Sequence, residues 1–243
     1  MAYNFLGLVN EVNRRLNEVE LTEANFATAV GFYATTKDAV NSAIRHINHE
    51  EFGWPFNHVE QEDTLTPGTV RYAMPSNSKF IDQNTFRIKR DEDLNVDTRY
   101  LTKRQYYEYL NDGDIDFEYN TGNTNIRTIP EYIVIAPSRE YIVYPAPDKA
   151  YSLIYEYYRN PVDLELFDDV PTIPEEFKHI IVDGAMYNVY QFRGDNQSAQ
   201  ISQAKFMEGI KYLRTLYINN NYNSVRSTSV FTRRRLAPVT GTF

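Results

Sequence analysis

Arg233, Arg234 and Arg235 form a run of three adjacent guanidinium groups. Such a run can grip phosphates, which would give salt-dependent binding to nucleic acid. The same groups can instead form bidentate pairs with carboxylates on a protein surface. Both interpretations stay open, and we favour the carboxylates because the rest of the chain is acidic.

The charge of the chain is split between an acidic body and a basic end. The formal net charge is −8, yet no Asp or Glu follows Glu208. The last 35 residues carry +6, and subtracting +6 from −8 leaves −14 on residues 1–208. The basic residues after Glu208 are Lys211, Arg214, Arg226, Arg233, Arg234 and Arg235.

A histidine pair could in principle hold a metal ion. His46 and His49 are three residues apart on a predicted helix, with Glu50, Glu51 and His58 nearby in sequence. A metal site needs a third convergent ligand and side chains that orient the first three. We therefore predict a solvated helix end and no metal.

Asp112, Asp114 and Asp116 alternate like the first positions of a calcium-binding loop. That loop needs glycine at its sixth position and glutamate at its twelfth, where this chain has Phe117 and Asn123. The pattern therefore favours an acidic turn.

Side chains typical of catalysis do not form a recognisable set in this sequence. It has no glycine-rich phosphate loop, no serine in a nucleophile elbow and no cysteine. His179 precedes an apolar pair and is predicted to lie on a helix surface or to be satisfied at an interface. We predict a protein that is not an enzyme and binds no cofactor. Without an 18-residue apolar run or a signal peptide, we also expect no membrane association.

Amphipathic helices are predicted at both ends of the sequence. Residues 3–20 carry apolar side chains at helical spacing. A second helix is predicted to be capped by Thr35 and to run to about Glu50. Residues 21–34 fit a short helix or an ordered loop.

Two further helices between Thr172 and Tyr217 are predicted to pack as a hairpin. Thr172 and Glu175 have the spacing of a capping box, Gly194 is a stop signal and Asp195 a start signal. The residues predicted to be buried are Phe177, Ile180, Ile181, Gly184, Ala185, Val189 and Phe192 in the first helix, and Ala199, Phe206, Met207, Ile210, Leu213 and Tyr217 in the second.

Between these helices the hydrophobic period changes to the alternation of strands. The clearest strands are residues 132–136, 140–144 and 150–158; weaker ones are predicted at 54–62 and 69–74, and around Phe80, Phe86 and Ile88 with an interruption at 82–84. The 20 tyrosines and 14 phenylalanines suit sheet faces and protein contacts.

The predicted fold class is α+β. Residues 1–52 and 161–219 supply a four-helix-type bundle, into which an antiparallel β-rich domain of residues 53–160 is inserted. Residues 220–243 are predicted to be an extended basic arm that becomes ordered against a neighbour.

The stretch Phe52-Gly-Trp-Pro-Phe-Asn57, which follows the first helix pair, carries a family resemblance. With the later Thr69-Val-Arg-Tyr-Ala-Met-Pro75 and Pro174-Glu-Glu-Phe177, it is similar to the head-to-tail adaptor proteins of tailed bacteriophages, most closely the tail tubular protein A group. The site residues proposed where the chain leads into the β domain are Trp54, Phe56 and Asn57.

The resemblance implies a structural protein of the virion neck, made in the host cytoplasm. It implies a ring of twelve copies beneath the portal protein that extends the DNA channel and offers a surface to tail nozzle or tail tube proteins. Genomic double-stranded DNA would pass through during ejection without specific binding. The helical domains would pack side by side around the ring.

The basic arm is predicted to bind the portal or a neighbouring subunit. Its arginines would pair with carboxylates, and two phenylalanines would serve as apolar anchors. The proposed residues are Arg226, Phe231, Arg233, Arg234, Arg235 and Phe243. The alternatives are another phage neck, tail or baseplate protein, or a nucleic-acid-binding module that uses the basic tail.

Overall fold

The computed structural model describes residues 2–91, 96–111 and 127–219. The described chain is mixed α and β. Its helices are α1 (Phe5–Arg15), α2 (Glu23–Phe26), α3 (Phe32–Glu50), α4 (Tyr106–Asn111), α5 (Lys178–Arg193) and α6 (Asn196–Arg214). Its strands are β1 (His58–Thr64), β2 (Arg71–Ala73), β3 (Ser78–Ile88), β4 (Arg99–Tyr100), β5 (Thr102–Arg104), β6 (Tyr132–Ala136), β7 (Glu140–Tyr144) and β8 (Ser152–Arg159).

These elements fall into two compact units. The described residues of Met1–Phe56 and Pro161–Phe243 form a helical unit, and those of Asn57–Asn160 form a β unit. Each unit has its own buried apolar cluster, which is the property expected of a folding unit.

Helix α5 lies at the centre of the helical unit and contacts α1, α3 and α6. Its residues are buried on several sides because partners surround it, whereas α6 buries only one face. The arrangement of four helices as a bundle remains a prediction. Core residues shared among these helices include Phe5, Leu8, Val12, Val40, Ile44, Ile47, Ile180, Ile181, Val189, Phe206 and Ile210.

The junction between α5 and α6 follows the predicted signals. Gly194 ends α5 in the left-handed conformation with φ of 76°, which glycine adopts without steric cost. The Asp195 carboxylate then caps α6 by accepting a hydrogen bond from the Ser198 backbone N–H. The two helices approach closely at Gly184, where an added Cβ would lie 2.7 Å from the Phe206 ring.

The predicted helix beginnings were wrong at two places. Helix α3 begins at Phe32, with Gly31 at its N-cap, so Thr35 lies inside the helix and its hydroxyl donates back to the Gly31 carbonyl. Helix α5 begins at Lys178 after a 3₁₀ turn, Glu175–Phe177, rather than at a capping box built by Thr172. Threonine inside a helix can bond its own preceding turn, so it does not mark a start by itself.

Three other predictions about the helices need correction. The first helix spans only Phe5–Arg15 of the predicted 3–20, and Asn17 adopts a positive φ just beyond it. Phe192 and Met207 are exposed rather than buried, with 65% and 44% of their surface accessible. Phe192 lies in the last turn of α5 and Met207 lies off the single buried face of α6.

The β unit contains two four-stranded sheets with the orders β1-β8-β3-β4 and β2-β7-β6-β5. Strands β1 and β8 run antiparallel over their full length, from the His58–Tyr158 pair to the Thr64–Ser152 pair. The predicted antiparallel architecture is confirmed except for β5 and β6, which pair in parallel. Tyr144–Pro145, directly after β7, is a cis peptide bond.

Two strand predictions differ from the structure. Trp54 and Phe56 precede β1 and lie in the helical unit, with Pro55–Asn57 in a 3₁₀ turn. The segment with Phe80, Phe86 and Ile88 is one strand, β3, whose pairing with β8 is interrupted by a bulge between Asp82 and Arg87. The Thr85 hydroxyl accepts the Glu156 backbone N–H there, so the bulge keeps one link to the neighbouring strand.

The main core of the β unit draws side chains from both sheets, including Phe86, Leu153 and Tyr155 from one and Ile133 and Tyr141 from the other. A smaller cluster, which includes Val134, Ile142 and Tyr109 of α4, is separate from it. No helix among the described residues is both long and apolar enough to cross a bilayer.

Candidate assembly surfaces

Trp54 anchors the chain where it leaves α3. Its side chain is fully buried, and its indole Nε1 donates to the Ile47 carbonyl oxygen at 2.8 Å. The Phe56 ring stacks on it with 5.4 Å between centroids, and Tyr217 meets Phe56 edge-on at 6.1 Å. These aromatic contacts hold the residues after α6 against the residues after α3.

Arg214, in the last turn of α6, strengthens the same end of the helical unit. Its guanidinium donates to the Glu50 carbonyl oxygen and lies 3.1 Å from the Glu50 carboxylate. A cation there also compensates the negative end of the α3 dipole. His46, one turn earlier, lies 3.5 Å from the same carboxylate and packs against the Phe206 ring.

Asp63 joins the two sheets of the β unit. One oxygen of its carboxylate, Oδ2, accepts the hydroxyl of Tyr141 at 2.8 Å and that of Tyr155 at 2.9 Å. Tyr141 belongs to β7 and Tyr155 to β8, so one carboxylate bonds strands of different sheets. Burial is the main cause that raises the pKa of both tyrosines, and the neighbouring carboxylate adds to it.

Charged side chains of alternating sign cover the outer face of the β1-β8-β3 sheet. The Arg87 guanidinium bonds Glu60 at 2.6 Å and Glu156 at 3.2 Å, and Lys89 lies 3.0 Å from Glu62. The hydrogen bond from Lys89 is the main cause that lowers the pKa of Glu62. Since these charges pair with one another, this face carries little unpaired charge.

The segment that returns to the helical unit exposes apolar side chains beside carboxylates. Leu164 points into the core, whereas Val162, Leu166 and Val170 are 79%, 63% and 60% exposed. The carboxylates are Asp163, Glu165, Asp168 and Asp169. We call residues 161–170 the acidic strip.

A second exposed surface lies on α6. Ile201, Lys205, Glu208 and Tyr212 recur at helical spacing on the side away from its buried face. Ile201 and Tyr212 are each 54% exposed. We call these four residues the α6 outer face. Large exposed apolar side chains beside charges are typical of protein contacts.

A family model described as SU10 adaptor protein matches residues 3–233, nearly the whole chain. The chain belongs to the SU10 adaptor protein family. The match assigns this adaptor a structural role in a bacteriophage. No curated protein matches it.

The predicted site residues of the adaptor divide into two groups. Trp54 and Phe56 contact each other in the helical unit, and the Asn57 side chain is buried in the β unit. They therefore position the chain, and a role for them in binding stays a prediction. The predicted arm of residues 220–243, with Arg226, Phe231, Arg233, Arg234, Arg235 and Phe243, lies outside the described residues.

The candidate metal ligands of the adaptor are not brought into one cluster. His46 and His49 are exposed on α3, and His58 lies in the β unit, 3.1 Å from Glu156. In residues 2–91, 96–111 and 127–219, no three His, Asp or Glu side chains converge as metal ligands would. The predicted acidic turn at Asp112–Asp116 lies outside these ranges.

Sequence reasoning missed the acidic strip and the α6 outer face. The apolar residues of the strip follow no regular spacing, because only Leu164 and Phe167 among them pack against the core. For α6, Ile201 and Tyr212 lie eleven residues apart, which is a second helical stripe opposite Phe206 and Ile210. That second stripe was the available signal.

Proposed function

We propose that this adaptor forms a ring, twelve copies in the favoured arrangement, beneath the portal of a tailed phage. The ring would extend the DNA channel and give tail nozzle or tail tube proteins a surface to bind, as in the tail tubular protein A group. The observation that carries the proposal is the adaptor family match over residues 3–233. The particle location would be the neck.

The charge of the chain supports this role. Twelve copies at −8 give a ring of −96. Carboxylates facing a channel would repel phosphates, so DNA would slide through without sticking. The 20 tyrosines of the chain support it too, because tyrosine supplies the rigid amphipathic contacts that protein interfaces use.

Electron microscopy of the adaptor mixed with its portal tests the proposal. We expect an additional ring on one face of the portal, with a central channel wide enough for duplex DNA. Particles made without the adaptor should lose packed genome or fail to acquire tails. Tailed, full particles from a deletion strain would contradict the proposal.

The basic arm has a separate test. A chain ending at residue 220 should remain folded but fail to bind portal, because Arg226 and the run Arg233–Arg235 would be missing. Circular dichroism checks the fold and sedimentation checks binding. Normal portal binding by the truncated chain would refute the role of the arm.

The basic end also supports the alternative of nucleic-acid binding. A salt titration with duplex DNA separates the two functions, since phosphate contacts give binding that weakens steeply with salt. An adaptor that lets DNA pass should bind duplex poorly even at low salt. Tight binding at low salt with a steep salt slope would favour the alternative.

A further inference from the structure

We propose that the acidic strip of one copy docks on the α6 outer face of the next copy, so that the helical units join head to tail. This inference rests on the proposed ring and names the two surfaces that close it. It concerns the helical unit alone.

The first support is that both surfaces expose large apolar side chains. Val162, Leu166 and Val170 of the strip are each at least 60% exposed. Ile201 and Tyr212 of the α6 outer face are each 54% exposed. Apolar patches of this kind gain free energy when another surface covers them.

The second support is the charge beside these side chains. In the strip, Asp163 lies 3.6 Å from Arg45, and Asp169 accepts the backbone N–H groups of Glu165 and Leu166. The carboxylates of Glu165 and Asp168 then stand exposed without an ion pair to any described residue.

Helix α6 is basic as a whole, although Lys205 and Glu208 of its outer face balance each other. Lys205 is exposed on the outer face and Lys211 lies near it, and neither forms an ion pair within the described part of the chain. Glu208 is the one acidic residue of α6. Two acidic strips would repel each other, whereas the ammonium groups of α6 attract carboxylates. The acidic strip should therefore pair with α6 and not with a second strip.

The third support is the separation of the two surfaces within one copy. The strip is fixed on α1 and α3: the Leu6 N–H donates to the Phe167 carbonyl, and the Leu164 N–H donates to the Asn41 side chain. Helix α6 packs mainly on α5 and reaches α3 through Phe206 and Arg214, which are not part of the α6 outer face. Two different surfaces on separate elements give a heterologous contact, which repeats from copy to copy and closes into a ring when the rotation allows.

Cysteine cross-linking tests the contact directly, because the chain contains no cysteine. Leu166→Cys and Ile201→Cys change exposed side chains, so folding should survive. Virions assembled with the double variant are oxidised and analysed on a denaturing, non-reducing gel. We expect a ladder of covalent oligomers beyond the dimer, since each copy links to two neighbours.

Matched variants control for chance collision. Each single cysteine variant can give at most a dimer. Leu166→Cys combined with Val30→Cys places the second thiol at another exposed apolar position of the helical unit, 78% accessible in the unchanged chain, and should give no ladder. Val162→Cys with Tyr212→Cys samples the same contact if the first pair does not assemble.

Charge changes in the double-cysteine background give an independent readout. Lys205→Glu should reduce the fraction of cross-linked chain and Glu208→Lys should raise it, each by roughly two- to fivefold, the range expected for an exposed ion pair. A general effect on folding would not move the two variants in opposite directions.

The outcomes separate this inference from the proposed function. Virions that contain the adaptor but yield only monomers and dimers from both cysteine pairs overturn the inference and leave the ring proposal intact. An Ile201→Cys thiol that is already protected from a thiol reagent in the isolated chain assigns the α6 outer face to another occupant and also overturns it. Complete tailed virions without the adaptor overturn both.

Discussion

At the scale of single residues, Asp63 is the side chain on which the two sheets of the β unit converge. Tyr141 and Tyr155 are fully buried, and both donate to the same carboxylate oxygen. A buried donor that loses its acceptor costs the full desolvation of that group. The energetic importance of Asp63 therefore exceeds that of the exposed ion pairs on the same strand.

Replacing Asp63 should destabilise the β unit. Asp63→Ala leaves two phenol hydroxyls without their acceptor and should lower the free energy of unfolding by about 2–4 kcal/mol. Asp63→Asn keeps one oxygen acceptor, so it should lower the free energy of unfolding by less than Asp63→Ala does. Urea denaturation followed by circular dichroism measures both.

Glu62→Ala, the neighbouring change on β1, is the control. Its carboxylate faces solvent beside Lys89, so the unfolding midpoint should stay close to that of the unchanged protein. If the Asp63 and Glu62 variants unfold alike, the bonds between the sheets are not what stabilises the unit.

Buried tyrosines should make the β unit sensitive to high pH. Burial raises the pKa of Tyr109 to about 12, above the value of about 10 for an unfolded tyrosine. The folded state therefore holds the proton of the Tyr109 hydroxyl more tightly than the unfolded state does. The stability that the neutral Tyr109 contributes is complete below pH 10. It is lost as the pH rises from about 10 to about 12.

Tyr109→Phe should therefore make the alkaline loss of stability smaller than in the unchanged protein. Urea midpoints measured at pH steps from neutral to alkaline would show the difference. Tyr107→Phe changes an exposed ring of the same helix and should leave the profile as it was. If the urea midpoint falls equally steeply with alkaline pH in all three proteins, the loss of stability does not come from Tyr109.

At the scale of elements, the contact of α5 with α6 depends on small residues. A Cβ on Gly184 would lie 2.7 Å from the Phe206 ring and 2.9 Å from the Ala43 Cβ. Gly209 on α6 is similarly close to Ile180. Both distances are shorter than van der Waals contact, so the helices must move apart or a ring must shift if either glycine gains a side chain.

Gly184→Ala should lower the stability of the helical unit by about 1–3 kcal/mol. In an isolated helix the same change would raise stability by about 1 kcal/mol, because alanine favours a helix over glycine. A loss of stability would therefore report on the close packing at Gly184. Thermal denaturation followed at the helix band of the circular dichroism spectrum measures the change. Gln203→Ala, on an exposed position of α6, should not reduce the midpoint; a Gly184→Ala protein as stable as this control would contradict the close packing.

The elements that were predicted well are those with a strong local signal. Strands β6 and β7 coincide with residues 132–136 and 140–144, because short runs rich in Tyr, Ile and Val flank a Pro-Ser turn. Gly194 and Asp195 mark a helix junction by their own chemistry. Helices α3 and α5 follow the N-cap residues Gly31 and Phe177, which make no side-chain capping bond that a sequence pattern could announce. The parallel pairing of β5 with β6 depends on contacts distant in sequence.

The candidate surfaces were less predictable for a related reason. Exposure of Leu166 depends on which neighbouring side chains the core takes up, and the irregular spacing of residues 161–170 does not record this choice. For Ile201 a second helical stripe was present, but the sequence does not say which stripe of α6 faces the core. Trp54 was predicted to lie in a strand but precedes β1 and is buried in the helical unit, because a tryptophan suits a sheet and the core beside a helix end alike.

At the scale of the whole molecule, the β unit begins and ends in paired strands. His58 at the start of β1 lies opposite Tyr158 near the end of β8, and the Asn160 N–H donates to the Asn77 carbonyl. The unit has its own core between two sheets. These features are typical of an insertion that can fold alone.

An excised fragment of residues 57–160 should therefore fold. We expect a monomeric fragment with a cooperative thermal transition and dispersed amide resonances in its nuclear magnetic resonance spectrum. A fragment with the Asp63→Ala change serves as the destabilised comparison. A fragment without a cooperative transition would mean that the β unit depends on the helical unit for its fold.

The burial of Trp54 has a practical consequence. It is the single tryptophan of the chain and lies wholly within the helical unit, while the 20 tyrosines are spread along the sequence. Indole fluorescence excited where phenols do not absorb will therefore report on one half of the protein only. The unmodified chain carries an optical probe that can time the response of its helices to a binding partner without any label.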